Sequence, residues 1–470
     1  MNEIPTRQIL DDLDEIVAIP SVYSAPQEGA PYGIACKQAL EWFVAKAKSY
    51  GLKAENIDNY CAYAEVGEGK ECVGVLAHLD VVPAGGGWST DPFKMVVDGG
   101  KVYGRGVGDD KGPVVVCLHA LKSLKDGGTK LKRRVRLIVG ADEERGSSCI
   151  RHYLEVGGEV PVMSFVPDSE FPIINSEKGI AHIEFIFDDE ALCKNVGFIS
   201  GAECKNALPD RSTVKVIKGS ALEAAIKSAC GGNVNATLFS RQPAASSVVA
   251  CKAKPDDFEI TCRDGITISA VGTAEHASTP EKGDSALWKI LGILAAFNGA
   301  IGSKHIQNIF DKMCADDASA KLGIDFKDER SGDLTMCMSE ARIVGGTLCL
   351  TVDFRLPIGV TAEKVKDNIC KALNCRAEIL DYHENLYIDP DSPLIKELLD
   401  VYVKATGDTT GPLQVGGGTY ARELPNAVAF GSTPLGLDIN MHRADENFPI
   451  EQLFKNYEIY LAAMVRLANL

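Results

Sequence analysis

Five residues of this chain are of the types that bind divalent metal ions, and each lies at or near the predicted end of a strand: His78, Asp109, Glu144, Asp168 and His442. Zinc binds histidine nitrogen and carboxylate oxygen at about 2.0 to 2.2 Å, and paired ions lie roughly 3.5 to 4 Å apart, which requires one shared ligand. Each residue alone has a simpler explanation, as a surface histidine or a helix cap. Their common position at strand ends favours a site for two divalent cations.

Two further acids lie next to these candidates. Asp80 is two residues past His78, so on an extended strand the two side chains share one side, and Asp80 could accept the proton of the second ring nitrogen. Glu143 directly precedes Glu144, and neighbouring side chains point apart. We therefore expect one glutamate to bind metal and the other to act as general base, as in metal-assisted amide hydrolysis.

Alternating strands and helices in the first 180 residues predict an α/β fold with a mostly parallel sheet. Apolar runs predict strands over 73–77, 135–139 and 162–166, and each of them ends at or just before a candidate ligand. Helical spacing predicts helices over 34–50 and 113–127. Ligands of such sheets gather outside the carboxyl ends of the strands, so one site is predicted.

The pattern changes in the middle of the chain. Residues 183–187 and 266–271 alternate polar with apolar side chains, which is typical of half-exposed antiparallel strands. Helix and apolar strand patterns return after residue 385. The predicted organisation is a catalytic domain split into 1–178 and 386–470, with an α+β domain, 179–385, inserted between its halves.

Composition narrows the possible partners. Lys and Arg total 49 against 65 Asp and Glu, a net charge of −16, which argues against nucleic acid or an anionic membrane surface as partner. The sequence contains neither a signal-peptide pattern nor about 20 consecutive apolar residues. Its 15 cysteines include no Cys-x-x-Cys and are interpreted as reduced thiols, so we predict a cytoplasmic protein.

Several segments resemble a known group of enzymes. Residues 78–85, 104–113 and 142–144 resemble the co-catalytic zinc exopeptidases, a superfamily that includes aminoacylases, glutamate carboxypeptidase and succinyl-diaminopimelate desuccinylase. Residues 167–172, 416–422 and 441–446 are similar to the corresponding motifs of PepV-type dipeptidases. The resemblance extends in order along nearly the whole chain.

This resemblance implies a role for each candidate. Asp109 would bridge two divalent ions. Zinc is the expected metal, with manganese and cobalt as alternatives. Glu143 would be the general base. The peptide bond after Asp109 would be cis. The terminal ligands implied are His78, Asp168, Glu144 and His442.

The resemblance also implies that the inserted domain is a lid that binds substrate. His276 would stabilise the oxyanion of the tetrahedral intermediate, and Asn206 and Arg355 would hold the free carboxylate of the substrate. Gly416 and Gly417 could let backbone amides approach the same carboxylate. Without the resemblance, Arg355 would be an ordinary charge at a strand end and the glycines a flexible turn.

The expected function is hydrolysis of short unblocked dipeptides through a metal-activated water. An N-acyl amino acid deacylase or carboxypeptidase of the same superfamily is one alternative, and a non-catalytic metal- or peptide-binding protein is another. Relatives that dimerise through the lid insert less chain than residues 179–385, so a monomer is expected.

Overall fold

The structure, a computed structural model, describes residues 4–230, 254–262 and 265–470. The chain divides into two compact units. The first combines Met1–Ser176 with Leu386–Leu470, and the second is Glu177–Asn385. The functional names catalytic domain and lid stay predictions for these units.

The first unit is built on a central sheet whose middle strands run parallel, in the order Arg134–Gly140, Cys72–His78, Ser164–Val166 and Ala427–Ala429. Antiparallel strands extend both sides: Lys53–Ile57 and Cys61–Val66 next to Arg134–Gly140, and Ile174–Glu177 next to Ala427–Ala429. The strands Leu386–Tyr387 and Leu413–Val415 both pair with Ile174–Glu177. A mixed α/β fold with a mainly parallel central sheet was predicted, and the structure confirms it.

Burial explains why the central strands could be predicted from the sequence. Every residue of Cys72–His78 is buried, as expected for a parallel strand covered on both faces, so it is a continuous apolar run. The helix Lys111–Asp126 is buried from Lys111 to Leu121 and begins two residues before its predicted start. The other helices of this unit are Thr6–Val17, Ile34–Ser49, Ser148–Glu155, Pro393–Thr406 and Ile450–Asn469. A small sheet joins Val96–Asp98, Lys101–Tyr103 and Asn447–Pro449.

The second unit contains two larger antiparallel sheets. One has the order Thr335–Val344, Thr347–Leu356, Gly179–Asp188 and Arg376–His383, and the other has the order Val196–Ile199, Arg211–Val216, Thr267–Val271 and Phe258–Thr261. A short sheet pairs Ala207–Leu208 with Glu275–His276. In the described part of this unit the helices are Glu190–Cys193, Ala221–Cys230, Ala286–Ala296, Asn298–Ile301, Ile306–Met313, Ala318–Leu322 and Ala362–Leu373. Among the described residues of the whole chain, no helix is long and apolar enough to cross a membrane.

Candidate metal centre

The register of two parallel strands brings the first candidate residues together. His78, the last residue of its strand, lies opposite Gly140, and the chain after Gly140 carries Glu143 and Glu144 in a single 3-10 turn, Glu143–Arg145. A Cβ atom at Gly140 would lie 1.9 Å from the hydroxyl oxygen of buried Tyr420. Only glycine therefore lets the strand end approach this tyrosine, beside the ring of His78.

Asp109 lies between two histidines, one for each of its oxygens. Its Oδ1 is 3.0 Å from Nε2 of His78, and its Oδ2 is 2.8 Å from Nε2 of His442. His78 Nε2 is also 3.6 Å from Oδ2 of Asp168, and His442 Nε2 is 3.3 Å from Oε2 of Glu144. Each histidine thus faces Asp109 and one further carboxylate, which is the arrangement that a bridged pair of ions requires. The Asp109–Asp110 peptide bond is cis.

The donor atoms fit divalent cations. Ligand atoms of His78, Asp109 and Glu144 lie within 4.8 Å of one another, as do those of His78, Glu143 and Asp168. Oε1 of Glu144 is buried and has no hydrogen-bond partner among the described residues. A set of imidazole and carboxylate donors suits zinc, manganese and cobalt. The geometry places Glu143 beside this cluster as well as Glu144, so either could serve as a ligand on distance alone.

The electrostatics of the cluster also favour a cation. Burial raises the pKa of Glu143, Glu144 and Asp168, and the negative charge of Asp109 raises the pKa of Asp168 further. Burial acts in the same direction on Asp109, but hydrogen bonds from His442 and His78 outweigh it and lower its pKa. Hydrogen bonds to Asp109 and Glu144 raise the pKa of His442 to about 10. Crowded buried carboxyls of this kind are compensated by bound divalent ions.

Asp80 holds the glutamate pair in place. Its Oδ1 accepts a hydrogen bond from the backbone N–H of Glu143, and its Oδ2 accepts one from the backbone N–H of Glu144, both at 3.1 Å. The nearest acceptor to Nδ1 of His78 is the backbone oxygen of Asp80 at 3.0 Å, whereas the carboxylate is 3.5 Å away. Asp80 therefore contacts His78 mainly through its main chain, and its carboxylate positions the two glutamates.

Glu446 is a supporting residue that the sequence interpretation missed. Its carboxylate is fully buried, accepts hydrogen bonds from the backbone N–H groups of Gly106 and Gly108 at 3.0 Å, and lies 2.6 Å from Nη1 of Arg105. It also accepts a longer bond, 3.4 Å, from the backbone N–H of Asp109. Glu446 thus anchors the loop that carries the bridging candidate. Its place four residues after His442, in a motif already singled out, was the available signal.

Of the substrate-binding candidates of the second unit, His276 and Arg355 lie on strands of two different sheets, and Asn206 directly precedes the strand Ala207–Leu208. His276 pairs with Ala207 across the short sheet, and Ala277 N–H donates to the backbone oxygen of Asn206, so Asn206 and His276 are brought close together. Nδ1 of His276 is 2.7 Å from Oγ of Ser278. Arg355 lies in the strand Thr347–Leu356, and its side chain is buried. Its residue type alone would instead suggest a solvent-exposed charge.

The glycine candidates lie in the first unit, just after the strand Leu413–Val415. Gly417 accepts a hydrogen bond from Nη2 of Arg422 through its backbone oxygen, at 3.3 Å. A Cβ atom at Gly417 would meet no atom within 4 Å, whereas one at Gly418 would lie 2.0 Å from the same guanidinium. A side chain at Gly418 would therefore displace the guanidinium of Arg422, whereas one at Gly417 would meet no atom.

Sequence comparison identifies the class of protein. The model of peptidase family M20/M25/M40 matches residues 74–466, so the chain belongs to that family, and this confirms the predicted relationship. The chain is 32% identical over 473 residues to the putative dipeptidase YtjP of Bacillus subtilis strain 168, covering 98% of this chain and 97% of that protein. It is 30% identical over 474 residues to a putative dipeptidase of Staphylococcus aureus strain MRSA252, with the same coverage.

Solved structures share the fold. Aminoacylhistidine dipeptidase from Vibrio alginolyticus superposes with a TM-score of 0.59 at 14% identity, covering 98% of this chain and 96% of that one. Human carnosine dipeptidase 1 superposes with a TM-score of 0.58 at 14% identity, covering 99% and 97%. At these identities the likeness shows the architecture alone.

Proposed function

We propose that the protein is a metal-dependent dipeptidase that hydrolyses short dipeptides with free termini. The observation that carries the proposal is the placement of Asp109 between His78 and His442, with Glu143 beside the same cluster. Membership of a peptidase family and relatives named as dipeptidases support the choice of a peptide substrate. We predict the cytoplasm as the location.

The proposed metal ligands are those that the sequence indicated: His78, Asp109, Glu144, Asp168 and His442. Two divalent ions held there would supply Lewis-acid polarisation of the scissile carbonyl and would lower the pKa of a water molecule. Glu143 accepts a proton from the attacking water through its carboxylate and delivers it to the nitrogen of the leaving amine. Asp80 fixes the backbone of Glu143 and so sets the position of this base.

Roles for the second unit follow from the family resemblance. We propose that His276 stabilises the oxyanion of the tetrahedral intermediate and that Asn206 and Arg355 bind the free carboxylate of the substrate, as parts of a lid. Gly416 and Gly417 are proposed to offer backbone amides to the same carboxylate. A guanidinium suits this task because its planar donors match a carboxylate in two places.

The test compares three substrates in the purified full chain: an unblocked dipeptide, its N-acetylated form and its C-terminal amide. We expect turnover of the unblocked dipeptide, its loss on treatment with chelator, and its return with added zinc or manganese. Preference for the N-acetylated form would instead indicate a deacylase or carboxypeptidase. Stoichiometric metal without turnover of any peptide would indicate a binding protein.

The base is tested by Glu143→Ala. General acid–base catalysis contributes about 10² to 10⁴-fold, so kcat should fall by that order. Glu155→Ala, the same substitution at an exposed helix end, is the matched control and should keep normal activity. Retained turnover in Glu143→Ala would contradict the assignment of Glu143 as the general base.

We also propose that the protein is a monomer, because the inserted unit is large enough to supply His276 within one chain. Sedimentation equilibrium of the metal-loaded protein should give a mass near 50.4 kDa. A defined two-fold dimer would contradict the proposal.

A further inference from the structure

A row of ionisable side chains crosses the antiparallel sheet that carries Arg355. Asp353, His182 and Asp381 lie directly opposite one another on three neighbouring strands, Thr347–Leu356, Gly179–Asp188 and Arg376–His383. Nε2 of His182 is 3.1 Å from Oδ2 of Asp353, and its Nδ1 is 3.7 Å from Oδ2 of Asp381. Residues directly opposite on a sheet share one face, so the row forms a continuous polar line.

Arg355 is attached to the buried end of this row. Asp353, two residues earlier on the same strand, faces the same side of the sheet. Its Oδ1 accepts a hydrogen bond from Nε of Arg355 at 2.8 Å, and its Oδ2 accepts one from Nη2 at 2.9 Å. Asp353 is fully buried and Arg355 is 3% exposed. A two-point contact of this kind fixes both the position and the plane of the guanidinium.

His182 adds a second positive group beside the carboxylate of Asp353. Burial lowers the pKa of His182, but the hydrogen bond to Asp353 and the nearby carboxylate of Asp381 outweigh it and raise the pKa to about 9. At neutral pH the imidazole is therefore a cation, and the charge of Asp353 is shared between two positive groups. A cationic imidazole binds Asp353 more strongly than a neutral one, so it helps to fix the carboxylate on which the guanidinium of Arg355 is aligned.

We propose that His182 is a positioning residue for Arg355: bridging Asp353 and Asp381, it holds the carboxylate that orients the guanidinium toward the free carboxylate of a dipeptide. This inference rests on the proposed dipeptidase function and extends it to a residue that does not touch substrate. A role in sheet stability alone would make the effect of a His182 substitution independent of whether the substrate carries a free carboxylate.

The kinetic test replaces His182 by glutamine and compares a dipeptide with its C-terminal amide. For the dipeptide, KM should rise about tenfold, the factor that about 1.4 kcal/mol gives, with kcat little changed. The amide lacks the carboxylate, so its KM should not change, and the preference for acid over amide should fall about tenfold. The control is His305→Gln, a histidine of the same unit that packs against Phe187 and has no part in the row.

Equal losses on both substrates, or a fall in kcat with KM unchanged, would overturn the positioning role. Asp381→Asn provides a second variant should His182→Gln fail to fold, and it should raise the dipeptide KM by a smaller factor because Asp381 is half exposed. An unchanged KM for the dipeptide in both variants would also overturn the inference.

A structural measurement separates this inference from the proposed function. The Arg355 Nε–Hε signal in NMR spectra of the full chain should be sharp and protected from exchange in the wild type, and broadened or lost in His182→Gln. An unchanged signal would refute the inference whatever the enzyme hydrolyses. Absence of dipeptide turnover in the wild type, with the signal altered in the variant, would refute only the dipeptidase function.

Discussion

Glu446 provides the sharpest test of how the metal centre is built. Glu446→Gln keeps the size of the side chain but replaces one acceptor oxygen with an N–H₂ group, which faces backbone donors such as those of Gly106 and Gly108. It also leaves the guanidinium of Arg105, buried to 99%, without its carboxylate. Removing one partner of a buried ion pair costs roughly 3 to 5 kcal/mol, and we expect a loss of free energy of unfolding near the lower value because Arg105 keeps its contact with the ring of Trp88.

The same change should displace the loop of Asp109 and weaken metal binding. Supporting partners of metal ligands typically contribute 10- to 100-fold in affinity, so zinc affinity measured by competition with a chelating dye should fall by about that factor. Urea unfolding of the metal-free protein measures the loss of free energy of unfolding separately from metal binding. Glu451→Gln, the same substitution at an exposed helix start, is the control. Wild-type stability and zinc affinity in Glu446→Gln would refute the view that this carboxylate anchors the loop.

Three further outcomes are expected. Gly140→Ala should lose about 1 to 3 kcal/mol in urea unfolding, since its Cβ would overlap the hydroxyl of Tyr420, and a variant as stable as the wild type would show that the strand end can shift. Burial raises the pKa of Asp12, but hydrogen bonds from His119 and Lys46 outweigh it and lower the pKa. The stability from Asp12 should therefore be complete above its unfolded pKa of about 3.9 and lost as pH falls through the lower folded value, so Asp12→Asn should flatten the acid side of a Tm-against-pH curve. Removing metal with a chelator should lower stability by about 2.7 kcal/mol relative to protein with free zinc at 100 times its Kd, and equal Tm values with and without chelator would contradict a metal centre in this fold.

Residues at strand ends could be found from the sequence because the strands themselves are fully buried. The apolar run before His78 could only be a buried strand or helix segment, and its short length favoured the strand. The same reasoning located Asp168 and the pair Glu143 and Glu144. What the sequence could not supply was the register, which places His78 opposite Gly140 and so sets the distance from one strand end to the next.

Contacts that depend on strand register or on loop shape could not be predicted from the sequence. The bond from Asp80 to the backbone of Glu143 exists because the chain forms a 3-10 turn there, which the residue pattern does not indicate. The row from Asp353 to Asp381 joins residues far apart in the chain, and only the pairing of three strands brings them to one line. No spacing rule in a single sequence contains that information.

The structure suggests a physical way to separate the acids proposed to bind metal from the acids that support them. Supporting carboxylates are occupied by backbone N–H groups: Asp80 accepts two, Glu446 accepts those of Gly106 and Gly108, and Asp110 accepts that of His78. In the described part of the chain, by contrast, no backbone N–H donates to the side chains of Asp109, Glu144 or Asp168, whose contacts are with histidines. A carboxylate already satisfied by amides gains little from a cation, whereas one buried among imidazoles and other acids gains much. By this criterion Glu143, to which no backbone N–H donates in the described part of the chain either, is grouped with the proposed ligands, and Asp80 is grouped with the carboxylates that fix the backbone.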